Sequence, residues 1–254
     1  MPLELRDRAV KLSMAHNHLV VVTALQCVIY RCSSWTTPHV FDLKDGCCVT
    51  LMAQSPKYVL LVDGQNGIQV FAAVVKARTF GNDLQVFDYD GRLVSSPKIQ
   101  GMRYEYLNAF TVALSDDTVA VRDQRYLQKR DDADHLDSLR SDEKLVHILD
   151  AQSGKAAGNP IAHVVEVAEV ALDQTGPLLS RHLAVVDKDR NLFVAQARRS
   201  GPRFEKLGTM VHSIAFHDQT NMLAGVFDGR IVIWYHPRLY CPCLPHNQAH
   251  LLDM

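Results

Sequence analysis

The chain has 254 residues, enough for one sizeable core or two small ones. Its 27 Lys and Arg against 28 Asp and Glu leave a net charge of −1, which excludes a broad polyanion-attracting field and removes nucleic acid as the default partner. The start, MPLELRDRAV, is charged where a secretory signal would be apolar, and the longest near-apolar run, 19–30, is too short for a membrane span and is broken by Thr23 and Gln26.

The rest reads as short strands separated by turn clusters. Lys11 to Ala15, Leu19 to Thr23 and Leu25 to Arg31 form three strands, Trp35 to Pro38 a loop, and His39 to Leu43 an outer strand before Asp45-Gly46 turns the chain. His16-Asn17-His18 spells the name of a nuclease motif, but that motif spreads its residues over a ββα-metal fold, whereas these three fall in one turn. Cys27 and Cys32 lie in strand-like sequence and are expected as buried thiols. The six Cys, with Cys47, Cys48, Cys241 and Cys243, are scattered and fit a reducing compartment.

A second unit opens at Cys48 to Met52 and turns at Pro56-Lys57. It continues through Tyr58 to Val62, apolar throughout and so expected to be buried on both faces. Asp63 to Gly67 lacks the glycine placement and the Lys-Ser/Thr of a phosphate loop. Ile68-Gln69-Val70-Phe71 is nearly repeated as Leu84-Gln85-Val86-Phe87, and only one copy can fill the third-strand slot. The second copy runs into Asp88 to Val94, a hairpin leading to an outer strand, so it takes the slot. Ala72 to Asp83 becomes an insertion, with Ile68 to Phe71 paired at its base or competing for the slot.

The third unit has Phe110 to Leu114, a turn at Ser115-Asp116-Asp117, Thr118 to Arg122, and Lys144 to Leu149 before a turn at 150–154. Within it, Gln124 to Glu143 is dense in both charge signs and poor in apolar residues, a solvated loop on composition. His135 beside Asp132, Asp134 and Asp137 belongs to that loop rather than to a metal cluster. The fourth unit has Val167 to Leu172, His182 to Val186, Asn191 to Gln196 and an outer Arg203 to Leu207. The fifth, Met210 to Trp234, has three strands, with a polar turn at 217–221 and a tight Asp228-Gly229 hairpin. Trp234 ends its last strand and is expected to anchor the core between neighbouring units. After Pro237 the sequence has no period and two prolines.

No nucleophile–base–orienter set appears, and His147, His163, His182 and His212 sit in or beside strands at unrelated spacings, as structural histidines do. Cys241-Pro242-Cys243 with His246 and His250 lacks the second regular ligand pair of a zinc site. The sequence therefore singles out no catalytic, cofactor-binding, metal-binding or partner-binding residue.

Apolar strand, polar turn, apolar strand, Asp-Gly, then a strand ending Ile-Trp is the punctuation of a WD40 propeller blade. Five such units at roughly 40–45 residues each, once insertions are removed, predict an all-β, incomplete or open WD40-type propeller. Its expected span is 1–240, with insertions at about 72–83 and 124–143 and an irregular tail at 241–254. The lead-in Met1 to Arg8 is too polar to lend the last blade a strand, so the ring is expected not to seal.

Longer stretches carry a more specific likeness. Leu145 to Lys155, Val170 to Gly176, Val186 to Asn191, Lys206 to His212 and Ile233 to Pro237 resemble the second WD40 propeller of the intraflagellar transport protein 80 family. Met14 to Val22, Phe41 to Gly46, Leu61 to Gly64 and Gly91 to Pro97 agree with it, so the resemblance runs over about Lys11 to Pro237. It implies a non-catalytic scaffold subunit of intraflagellar transport complex B, acting through protein–protein interaction in cilium assembly and transport. It also implies location at the cilium, its base and the cytoplasm, other complex B subunits as partners, and no cofactor. Family members carry two tandem propellers and a helical repeat region, and the calponin-homology-type subunit they bind is implied to use the first propeller, so it falls on no residue here. Segments 72–83 and 124–142 are longer than the family's connections. The competing classes are a non-ciliary WD40 adaptor, of trafficking-coat or ubiquitin-ligase receptor type, and an enzyme on a propeller scaffold. Neutral charge argues against nucleic acid, no segment suggests membrane insertion, and open blade edges add an expectation of self-association.

Overall fold

The computed structural model describes residues 5–43, 48–64, 70–71, 74–75, 84–124, 144–198 and 201–235. They form five antiparallel sheets laid side by side in chain order, each built from consecutive strands. The first holds β1 (Ala9–Ala15), β2 (His18–Thr23), β3 (Gln26–Arg31) and β4 (Ser34–Asp42). His16 and Asn17 both take positive φ, 50° and 60°, between the paired Ala15 and His18, which makes them the two central residues of a type I′ hairpin. The loop expected at Trp35 to Pro38 is instead the first half of β4. An edge strand has one side without ladder bonds, so Pro38 is tolerated, and the irregularity between Ile29 and Arg31 absorbs the extra length.

The second sheet is built from β5 (Val49–Gln54) and β6 (Tyr58–Asp63), completed by β9 (Leu84–Asp88) and β10 (Leu93–Ser95). All six residues of β6 are buried, as its unbroken apolar run requires. The near-duplicate is resolved by pairing. Leu84 to Phe87 line up against β6, while β7 (Val70–Phe71) pairs only with β8 (Val74–Val75), at the base of the insertion. Ile68 and Gln69 lie outside the described residues.

The third sheet has β11 (Val112–Leu114), β12 (Thr118–Arg122), β13 (Leu145–Asp150) and β14 (Ile161–Ala162), an outer strand that the sequence did not suggest. The fourth has β15 (Val167–Leu172), β16 (His182–Asp187), β17 (Leu192–Gln196) and β18 (Glu205–Gly208). The fifth has β19 (Val211–Phe216), β20 (Met222–Phe227) and β21 (Arg230–Tyr235), three strands among the described residues. Its β20–β21 hairpin is again type I′, with φ of 44° at Asp228 and 74° at Gly229. The charged loop expected at 124–143 and the tail after Pro237 lie, apart from Gln124, outside the described residues.

One device recurs where the inner strand of a sheet turns back. The first turn residue accepts a backbone N–H from two or three positions on: Tyr58 N–H donates to Ser55 Oγ (3.0 Å), Thr118 to Ser115 Oγ (3.2 Å), Thr175 to Asp173 Oδ1 (2.8 Å) and Thr220 to His217 Nδ1 (3.1 Å). Cys27 is buried as expected, and desolvation pushes its thiol up to about 12, which makes it inert. Cys32 is not buried: it sits half-exposed in the turn after β3, its N–H bonded to the Asn17 carbonyl (2.8 Å).

Each sheet packs on the next through a separate apolar cluster, and the series is open: the first and fifth sheets are its two ends. This is an incomplete WD40-type propeller. No helix among the described residues is long and apolar enough to cross a membrane.

Candidate functional site

The surfaces that could meet a partner follow from how the sheets meet each other. Strand alternation gives every sheet two faces, one toward the preceding sheet and one toward the following sheet. On the following-sheet face, the innermost strand carries a small residue in every sheet. Ser13 stands in a rung with Val20 and Ile29, Ala53 with Leu60 and Val86, and Ala113 with Ala120 and Ile148. Ala171 stands with Ala184 and Val194, and Ala215 with Ala224 and Ile233. The space above the small residue receives larger side chains from the next sheet. Val170, Leu172, Leu183 and Val185 fill it over Ala120 and Ile148, and Val211, Ile214 and Leu223 over Ala184 and Val194.

The fifth sheet has the same rung, with nothing on it among the described residues. Val226 (39% exposed), Ile231 (55%) and Tyr235 (51%) stand open around Ala224 and Ile233. At the other end, Leu12 (65%) and Met14 (66%) of β1 face outward, while their counterparts in β11, Val112 and Leu114, are 4% and 3% exposed under a neighbouring sheet. Leu5 and Trp35 pack over Leu19, Val21, Val28 and Tyr30 and cover part of that first face. The arc thus ends in two apolar faces built like its own interior.

The rim that carries the inner turns is polar and spoken for. The Lys57 backbone N–H donates to Asp116 Oδ1 (2.9 Å), linking the second sheet to the third. Arg181, buried, grips Asp117 with Nε (3.1 Å) and Nη2 (2.6 Å) and gives Nη1 to the Asp173 carbonyl (2.7 Å), linking the third to the fourth. Arg198 adds bonds to the Asp117 carbonyl, to Thr118 Oγ1 (3.0 Å) and to Asp150 Oδ2 (3.0 Å). Burial works against ionisation of Asp117, but the bonds from Arg181, Thr118 and Ser115 outweigh it and hold the carboxyl below its ordinary range. Glu169 of β15 reaches across to the fifth sheet, accepting from Ser213 Oγ (3.1 Å) and the Ile214 N–H (3.2 Å). There burial prevails and the carboxyl is raised.

Three of the histidines noted in the sequence each stand beside an aspartate. His147 Nε2 bonds Asp123 Oδ2 (3.0 Å), His163 Nε2 is 3.5 Å from Asp187 Oδ2, and His182 Nδ1 is 3.5 Å from Asp173 Oδ2. The three aspartates are all but fully buried, and the pairs lie within or between sheets, where they fix strand ends. His212 is exposed on β19. Among the described residues no three His, Cys, Asp or Glu stand close enough together to hold a metal. The zinc-like set at 241–250 and the residues around His135 lie outside the described residues. A cleft of about 490 Å³ between the first two sheets is lined by His18, Arg31, Lys57, Tyr89 and Asp90. His18 stacks on Tyr89 at 3.8 Å there, and Arg31 and His39 both reach Asp90, at 3.5 and 3.6 Å.

Trp234 is partly buried against the fourth–fifth cluster. Its ring lies over two glycines: a Cβ on Gly225 would meet Cζ3 at 2.9 Å, and one on Gly208 of the fourth sheet would meet Cζ2 at 3.5 Å. The sequence pointed to Trp234 between neighbouring blades but not to the glycines that make room for it.

Compared with known proteins, the chain matches the family described as IFT80 second beta-propeller over residues 2–79, 77–129 and 133–242. It is 39% identical over 239 residues to the intraflagellar transport protein 80 homolog of Mus musculus and to that of Rattus norvegicus, covering 92% of this chain and 26% of each relative. It therefore spans about a quarter of the length of the curated relatives it matches. Among solved structures it resembles the WD40 domain of SCAP from fission yeast, with a TM-score of 0.56, 10% identity, 92% of this chain and 51% of that one. It also resembles Kluyveromyces lactis Hsv2, with a TM-score of 0.54, 13% identity, 100% of this chain and 73% of that one. Likeness at that level of identity shows the fold alone.

Proposed function

The chain belongs to the intraflagellar transport protein 80 family, within its second-propeller region, and from that membership we propose that it works as a non-catalytic scaffold in intraflagellar transport complex B. It binds other complex B subunits during cilium assembly and transport, at the cilium and its base, and is drawn from the cytoplasm. The family likeness over 92% of the chain is the single observation that carries the ciliary part. The surface chemistry supports binding over catalysis: the rim's charged groups are engaged in holding sheets together, and what the arc leaves open is apolar. Residues 1–240 act as the propeller unit and 241–254 as a tail outside it, and the exposed end faces promote self-association when no partner covers them.

The test is expression of the tagged chain in ciliated cells that lack the full-length family member. Enrichment at the ciliary base and co-purification of complex B subunits are expected. A chain that stays monomeric and stable, never enriches at the base and brings down no complex B subunit would sink the scaffold reading.

A further inference from the structure

Three of the ten prolines follow a hydroxyl side chain: Thr37-Pro38, Ser55-Pro56 and Ser96-Pro97. The three dipeptides are equivalent in sequence, and the fold separates them. Ser55 is fully buried, and its Oγ accepts the N–H groups of Lys57 (3.3 Å) and Tyr58 (3.0 Å). Ser96 is half-buried beside a buried Pro97, and Ser95 Oγ ties that segment to the third sheet by donating to the Ala151 carbonyl (2.6 Å). Thr37 is exposed, as is Thr36 before it.

Thr37 also stands off the ladder. Ser34 lies opposite Arg31 and His39 opposite Ile29, so residues 35–38 face a single residue of β3 and bulge from the edge of the first sheet. Pro38 has no N–H to give back to that ladder. Trp35 packs over Leu19, Val21, Val28 and Tyr30, and Phe41 stacks on Phe87 (4.6 Å), so the bulge is held at both ends. Thr37 Oγ1 lies 3.4 Å from Ser34 Oγ, beside the Arg31–Ser34 pair. Arg31 Nη2 (3.5 Å) and His39 Nε2 (3.6 Å) approach the same oxygen, Oδ1 of Asp90 on the second sheet, and all three side chains are about half exposed. Two donor side chains thus share one carboxylate oxygen next to an exposed hydroxyl.

We propose that Thr37 is a phosphorylation site for a proline-directed protein kinase, with Arg31 and His39 as the cradle for the phosphate. Thr37 Oγ1 attacks the γ-phosphorus of the kinase's ATP. A new O–P bond forms, the bond from that phosphorus to the β–γ bridging oxygen breaks, ADP leaves, and the hydroxyl proton passes to the kinase's catalytic carboxylate. Proline suits such a kinase because a pocket with no acceptor for the next residue's N–H penalises every residue that has one. The product carries about −1.5 to −2 charge and three strong acceptor oxygens, against the single negative charge of Asp90. Arg31 and the ring N–H of His39 turn to the phosphate, and Asp90 is left facing a like charge. The outer link between the first and second sheets is thereby released. The inference does not depend on the ciliary assignment, because it is read on the purified chain.

The experiment incubates the purified full-length chain with a cyclin-dependent kinase, its cyclin and Mg2+-ATP, and maps the phosphate by mass spectrometry. Synthetic peptides of residues 32–43, 50–61 and 91–102 serve as unfolded references and are expected to accept phosphate at Thr37, Ser55 and Ser96. The folded chain accepts it at Thr37 at least ~10-fold faster than at Ser55 or Ser96, which must unfold locally before a kinase can hold them. Thr37→Val abolishes that incorporation, and Pro38→Ala lowers it at least ~10-fold while keeping the hydroxyl. Both variants keep the parent's urea midpoint, since both positions lie off the ladder. The cradle is read separately, by 31P NMR. The second pKa of the phosphate, about 6 in the 32–43 phosphopeptide, lies at least ~0.5 lower in the folded chain, and Arg31→Gln returns half of that difference or more. A folded chain left unmodified at Thr37 overturns the proposal, whether or not the 32–43 peptide is a substrate. Equal rates at the three sites of the folded chain show that the fold selects none of them. A phosphate that titrates alike in the parent, in Arg31→Gln and in the peptide refutes the cradle.

Discussion

Gly225 and Trp234 form a pair whose energetics can be worked out in advance. Adding a Cβ to Gly225 places a carbon 2.9 Å from Trp234 Cζ3 and 3.2 Å from Cη2, where carbon contacts settle at about 3.5–4.0 Å. The indole cannot retreat freely, because Gly208 of the neighbouring sheet stands on its other edge. Overpacking of this kind costs about 1–3 kcal/mol. Replacing a strand-interior glycine by alanine returns about 0.5–1 kcal/mol of chain entropy. Gly225→Ala should therefore destabilise by roughly 1–2 kcal/mol. Trp234→Ala, from a ring that is only partly buried, should cost about 2 kcal/mol rather than the 3–5 of a fully buried aromatic. In the Trp234→Ala background the ring atoms are gone and only Val211 Cγ1, 3.3 Å from the added carbon, still crowds it, so Gly225→Ala should cost clearly less, a coupling of roughly 1–2 kcal/mol. Equilibrium urea unfolding followed by far-UV circular dichroism, with all four variants at one temperature, measures it. If Gly225→Ala costs the same in both backgrounds within about 0.5 kcal/mol, the ring does not rest on Gly225 and the packing argument fails.

Other variants probe the links between sheets. Arg181→Ala strands a partly buried Asp117 and should cost about 3 kcal/mol in the same assay; a change under about 0.5 kcal/mol would show the pair to be ornamental. Asp117, Asp150 and Asp173 are all held below the ordinary aspartate range, so the stability they confer is present above that range and is lost as pH falls through it. The midpoint of urea unfolding should drop steeply on acidification below about pH 4, and Asp117→Asn should flatten the drop. Glu169 has the opposite sign: its folded value is raised, so its contribution is present at low pH and lost as pH rises through that value. Glu169→Gln, which keeps an acceptor for Ser213 and Ile214, should match or exceed the parent at pH 7, and a large loss there would show that the charge itself is needed. Ile231→Lys on the open face should change stability by under about 0.5 kcal/mol yet reduce self-association in sedimentation velocity, and an unchanged association would move the sticky surface elsewhere.

Much of the fold was legible because each strand is long enough to show its alternation and each hairpin has a turn residue with a reason to be there. Asp228-Gly229 is the clearest case, and the flanking Asp88 hairpin correctly decided between the two near-identical segments at 68–71 and 84–87. The misses have physical causes. β14 is two residues long, too short to carry a period, and exists because Val146 and Leu145 offer it an edge. Pro38 reads as a breaker in sequence but sits in an edge strand, where the missing N–H costs nothing. The surfaces were harder to see. Alternation says that Ala215, Ala224 and Ile233 share a face, but not that no sheet among the described residues covers it, and nothing local joins Arg181 to Asp117, 64 positions apart.

The small residue on every inner strand has a thermodynamic consequence. Because Ser13, Ala53, Ala113 and Ala171 make the four junctions nearly the same junction, the molecule behaves as a row of coupled units with nearest-neighbour terms only. A sealed ring must break two junctions to release one unit, whereas a row releases its last unit by breaking one. The fifth sheet, three-stranded and held on a single flank among the described residues, is where such a row begins to unzip.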